Sequence, residues 1–173
     1  MANYVAYPVK RVPDYLIFNA VVPAGDDKFH IGTVVELESM TGAGNCNVWT
    51  VSKPAAAAKH VGLIIAADFE TLADGRRPAG NPDFTTYEIP AGSVVTVVML
   101  EKFMEFEISK DILADQTNVA AGNFLVCNGS YSLATAAVSG GNPVELKIFA
   151  DGYFRNGGNA GAGFIPTLFV RVE

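Results

Sequence analysis

The chain has 173 residues, half of them apolar and only 17% charged, with 12 basic against 18 acidic side chains and a net charge of −6. An unstructured chain shows the reverse balance, and this length folds as one domain with a core of its own. No apolar run reaches 18 residues, so no bilayer-spanning helix is expected. The small basic content argues against nucleic acid as a partner.

Residues 1–13 read as an extended arm ahead of a β domain over 14–173. The arm holds Pro8 and Pro13, and Lys10 and Arg11 are its only charges. Those two basic residues follow the apolar ones, and no stretch has signal length, so a secretory leader is not expected. Tyr4, Val5, Tyr7 and Val9 would cost free energy in water, so the arm must lie against its own domain or a partner.

Strand signals follow in order. Residues 32–38 (GTVVELE) pass from an apolar run into alternation, with Val35 and Leu37 opposite Glu36 and Glu38. Residues 48–52 (VWTVS) carry β-branched and aromatic side chains. Ser52, Lys53 and Pro54 ahead of AAAAKH predict one short helix. Residues 61–66 (VGLIIA) form a brief apolar run. The continuous run 93–100 (SVVTVVML) is buried on both faces or hidden under a neighbouring subunit. Over 102–108 alternation returns, with Met104, Phe106 and Ile108 opposite Phe103, Glu105 and Glu107. Ser109 ahead of KDILAD predicts a single helical turn. In 124–133 (FLVCNGSYSL), Asn128–Gly129 predicts a type I′ turn joining two directly paired strands. Residues 144–149 (VELKIF) and 167–172 (TLFVRV) close the series, with Asp151–Gly152 as a weaker turn candidate. Small-residue loops fall at 42–45, 74–83, 139–143 and 156–163. The expected fold is mainly β, a single compact β-barrel or β-sandwich domain with one or two short helices and an extended N-terminal arm.

One pattern recurs three times: Ile31-Gly32-Thr33-Val34-Val35, Ala91-Gly92-Ser93-Val94-Val95 and Ala121-Gly122-Asn123-Phe124-Leu125. Each reads as a turn glycine launching a strand, with a polar residue at the strand entry.

Catalytic chemistry finds no motif. The glycine-rich 157–163 stretch lacks the order and lysine of a phosphate loop, and a strand-like segment follows it where a helix is needed. Glu36 with Glu38 and Glu105 with Glu107 read as solvated strand faces. Asp26, Asp27, Asp68, Glu70 and Asp74 do not match a calcium loop. His30 and His60 have no second ligand at metal-binding spacing, and no nucleophile elbow is present. Asn128-Gly129-Ser130 fits a glycosylation sequon, but its turn role suffices. Cys46 and Cys127 read as small buried thiols, with one bridge still open. No catalytic residue, cofactor or metal is expected, and the chain reads as a structural or interaction protein, not an enzyme.

The order of features resembles small head-decoration (cement) proteins of tailed bacteriophages. The residues carrying the resemblance are a G-T-V-V strand (Gly32 to Val35), an alanine-rich stretch closing on V-G-h-h (AAAAKHVGLII), an A-G-S-V-V strand (Ala91 to Val95) and a G-N-F-L-V strand with its hairpin. The arm, the 74–83 insertion and the segment from about 140 depart from it. The resemblance implies a virion component made in the host bacterial cytoplasm and bound to the outer capsid surface, where it bridges major capsid subunits. Association with itself as a trimer is common in that class. The arm, through Tyr4, Val5, Tyr7, Val9, Lys10 and Arg11, is the expected partner interface. The alternative is a carbohydrate- or receptor-binding β module of a head fibre or tail, using Trp49, Tyr87, Tyr131 and Tyr153. An enzyme would instead need His30 or His60 in a pocket beside carboxylates.

Overall fold

A computed structural model of the chain describes residues 2–41, 48–67, 85–155 and 164–173. These residues form eleven strands and two single 3₁₀ turns, mainly β as expected. Five strands close a barrel in the order β2 (Ile17–Val21), β4 (Val48–Ser52), β3 (Val34–Thr41), β5 (Val61–Ala67) and β6 (Val94–Met99), with β6 returning to β2. Six strands form an open antiparallel sheet in the order β1 (Ala6–Pro8), β7 (Glu105–Ser109), β11 (Phe164–Val172), β10 (Glu145–Arg155), β8 (Phe124–Cys127) and β9 (Leu133–Ala136). The barrel-or-sandwich expectation thus resolves into a closed barrel packed on a sheet. Closure leaves the barrel no bare edge, and bulges at Leu37/Ser39 and Ile64/Ala66 bend its strands.

Buried side chains of both units, among them Leu63 and Val97 of the barrel and Phe106 and Leu168 of the sheet, belong to one continuous cluster. The 93–100 run owes its unbroken apolar character to this arrangement. Val97, Val98, Met99 and Leu100 are all buried, so both faces of that stretch are covered within the chain.

The three glycine patterns are one structure used three times. Gly32, Gly92 and Gly122 all take positive φ, at 89°, 80° and 96°. Each stands third in a turn closed by a bond from the next residue: Thr33 to His30, Ser93 to Pro90 and Asn123 to Ala120, at 3.1–3.2 Å. A positive φ at that position is the type II requirement that glycine meets without strain. Each turn also exchanges two backbone bonds with one residue elsewhere. Gly32 N–H and Thr33 C=O pair with Ile64, Gly92 and Ser93 with Val22, and Gly122 and Asn123 with Ile148. The turns launch β3, β6 and β8.

Three local expectations are corrected and one is met. Residues 55–60 make a turn, bonded from Ala58 N–H to Ala55 C=O, where a helix was expected; Ala58 is drawn into the core. The single helical turn expected after Ser109 does form, as the 3₁₀ turn Lys110–Ile112. The β8–β9 strands pair, but across the five-residue loop 128–132, so Asn128–Gly129 is no two-residue type I′ turn. In that loop Gly129 alone takes positive φ, its N–H donating to Pro54 C=O (3.1 Å), and Tyr131 packs on Phe29. The loop is recruited to dock onto the barrel. Asp151–Gly152 lies inside β10, paired with Leu168 and Thr167, and is no turn. Cys127 is a buried free thiol. Cys46 and the loops 42–45, 74–83 and 156–163 fall outside the described residues.

Candidate interaction surface

The arm is built into its own domain. β1 pairs with β7 in the register Ala6↔Ile108, Tyr7↔Glu107, Pro8↔Phe106. Ser109 N–H donates to Val5 C=O (2.7 Å), Val9 N–H to Glu105 C=O (2.9 Å) and Asn3 N–H to Asp111 Oδ2 (2.7 Å). Tyr4 stacks on His30 with ring centroids 3.9 Å apart, linking the arm to the barrel side. Of the six arm residues singled out from sequence, Val5 is buried, while Tyr4 and Tyr7 are half-buried in contacts to the body. Val9, Lys10 and Arg11 remain on the surface.

The alternation of β7, β10 and β11 splits the sheet into two faces. Phe106, Ile108, Leu168, Val170, Leu146 and Ile148 enter the core. The opposite face is where the glutamates lie, and Glu107 is not solvated there: it is 5% exposed. Tyr7 donates its hydroxyl to Glu107 Oε2, and Thr167 Oγ1 donates to Oε1 at 2.5 Å. Gly152 makes room for this cluster, since a Cβ there would fall 2.6 Å from Thr167 Oγ1 and 3.2 Å from Glu107 Oε1. Burial, then the bond to Glu107, pushes the Tyr7 hydroxyl well above the usual phenol range.

One rung further along, the registers Glu105↔Arg171, Arg171↔Lys147 and Lys147↔Phe124 carry a row of charged side chains across three strands on that face, ending on Phe124 of the fourth. Lys10 joins the row through Glu105 (2.9 Å). Arg171 lies over the Phe149 ring (4.6 Å to the centroid) and binds Glu173 at 2.7 Å. Lys147 lies over Phe124 (5.8 Å) and Lys102 over Phe103 (5.4 Å). The hydrogen bond from Arg171 holds the Glu173 carboxyl below its usual range, against the opposing effect of desolvation, and the charges of Arg171, Lys147 and Lys102 help. Beside this row is a concavity of about 260 Å³ lined by Val9, Glu105, Phe106, Phe149, Phe169, Val170 and Arg171. Phe149 and Val9 are exposed at 41% and 45%, and Phe103 at 66%. An apolar floor with charged side chains at its margin is the anatomy of a protein interface.

A second, smaller cleft of about 140 Å³ lies between Tyr4, Lys28, His30, Asp111 and Tyr131. His30 Nδ1 is 2.9 Å from Tyr87 C=O, and Asp111 accepts from Asn3. His60 is exposed elsewhere, so the two imidazoles do not meet. Among the described residues no group of three or more His, Cys, Asp or Glu could hold a metal ion, and no buried side-chain polar atom lacks a partner.

From sequence, the arm supplied Val9 and Lys10 of this surface. Phe149, Phe169, Lys147 and Arg171 were missed, although alternation in LKIF and TLFVRV already put Phe169 and Arg171 on one face. No family model, curated protein or solved structure matches the chain.

Proposed function

We propose that the protein is a non-enzymatic virion component that decorates and stabilises the outer surface of an icosahedral phage capsid by bridging major capsid subunits. The carrying observation is the outward face of the six-stranded sheet, where Val9 and Phe149 stay exposed at a concavity although the same sheet buries a full core on its other side. Apolar surface of this kind is retained where it meets another protein. The resemblance of the strand order to head-decoration proteins supplies the partner. Many modest contacts repeated over a shell sum to a large avidity. The test is co-sedimentation with purified shells of the virion whose genome encodes the chain. Saturable binding to shells supports the reading, and protein left in the supernatant at micromolar concentration overturns it.

A second reading, a carbohydrate-binding module, draws on Tyr153 and Phe164, 70% and 69% exposed and edge to face at 6.4 Å. Trp49, Tyr87 and Tyr131 pack against the core instead. Glycan-array binding lost on Tyr153→Ala would favour this reading.

A further inference from the structure

We infer that the sheet's outward face receives an acidic, extended segment of its partner, with one apolar side chain of that segment seated in the concavity. This rests on the reading that the face is an interface, and it adds the chemistry of the occupant.

Charge supplies the first argument. Glu107 and Glu145 of this face are buried under Tyr7 and the 139–142 loop. The charges left at its surface are Lys10, Lys102, Lys147 and Arg171 against Glu105 and Glu173, a local positive excess on a chain whose net charge is −6. Lys102 and Lys147 are in no ion pair among the described residues; each lies over a phenyl ring instead. A cation so placed is positioned by the ring and keeps donors for an incoming carboxylate. Arg171 lies across Phe149 while its guanidinium holds Glu173, so a partner carboxylate can take the place of Glu173 without moving the ring contact.

Size supplies the second. A volume of about 260 Å³ falls below the roughly 300–1,000 Å³ of sites for drug-sized ligands. With Val9, Phe149 and Phe169 around it, this space suits one aliphatic or aromatic side chain. Charges spaced along one rung, beside an apolar socket, match an extended strand of alternating acidic and apolar residues. Nucleic acid fits less well, because Glu105 and Glu173 stand in the row itself and the whole chain repels phosphate.

The experiment is fluorescence anisotropy with three labelled probes: a synthetic peptide alternating Glu or Asp with Leu or Phe, the same peptide with Lys in place of its acids, and oligothymidylate. The full chain is compared with Lys147→Glu/Arg171→Glu, with the milder Lys147→Gln, and with Lys59→Glu as a distant surface control; circular dichroism monitors folding. The acidic peptide should bind, weaken with added salt, and lose about tenfold or more in the double variant while Lys59→Glu binds as wild type. Equal binding of the acidic and basic peptides, tighter binding of the oligonucleotide, or salt-independent binding of the acidic peptide overturns the inference. If shells bind the protein while the acidic peptide does not, the occupant assigned here is wrong and the interface reading stands.

Discussion

Tyr7 and Glu107 face each other across the β1–β7 pair, and the phenol donates to a carboxylate that is itself 5% exposed. This one bond ties the arm to a buried charge. Tyr7→Phe leaves Glu107 Oε2 without its donor, so a stability loss of about 1–3 kcal/mol is expected in denaturant titration, with faster tryptic cleavage after Lys10 and Arg11. The pH dependence has a fixed sign. Folding raises the Tyr7 pKa, so its contribution is complete below the unfolded value of about 10 and is lost as pH rises above it. The alkaline limb of the stability curve should flatten in Tyr7→Phe.

The three turn glycines look alike in sequence and differ in what surrounds them. A Cβ at Gly92 or Gly122 meets nothing within 4 Å, so alanine there pays only the positive-φ strain, roughly 1–2 kcal/mol. At Gly32 the same atom would run into Ile112 Cδ1 and lie 3.2 Å from the Ala6 Cβ. Gly32→Ala should therefore add about 1–3 kcal/mol of overpacking and loosen the arm. Thermal melts of the three variants should rank Gly32→Ala lowest; equal melting temperatures would refute the packing argument.

Glu145 pins the 139–142 loop. Gly140 and Asn142 N–H donate to its Oε1 at 2.9 Å, and Ser139 Oγ donates to Oε2 at 2.6 Å. Burial alone would raise its pKa, but these bonds outweigh it and the net direction is downward. The stabilisation is present above the unfolded value of about 4.3 and disappears as pH falls through the lower folded value. Glu145→Gln should cost on the order of 2 kcal/mol at neutral pH and reduce the acid dependence, read by urea titrations between pH 3 and 7.

Cys127 is buried, and that burial, aided by Glu36, pushes its thiol up to about 11. In a Cys46→Ser background a thiol reagent at pH 8 should react with folded protein very slowly and with urea-unfolded protein at once. Rapid reaction in the folded state would contradict the burial.

Much of the fold was legible because strand period survives in the chain: Phe106 and Ile108 against Glu105 and Glu107, or Leu168 and Val170 against Phe169 and Arg171. Turn chemistry misled where tertiary contacts took over. Asn128–Gly129 has the composition of a tight turn, but Pro54 and Phe29 hold its loop open and docked. Asp151–Gly152 reads as a turn until Thr167, Phe169 and Glu107 are seen to need the space of a missing Cβ. Glu107 reads as solvated because nothing local reveals that Tyr7, 100 residues earlier, covers it. The interface row was illegible for a similar reason. Lys10, Glu105, Arg171 and Lys147 come from four segments, and only the registers among β1, β7, β11 and β10 bring them together.

The central claim is that the sheet's outward face is the surface hidden on binding, and hydrogen exchange of the shell-bound protein against the free protein tests it most directly. Slowed exchange is expected in residues 102–107, 147–151 and 169–173, with the barrel strands unchanged. Protection confined to the barrel, or no difference at saturation, would contradict the account.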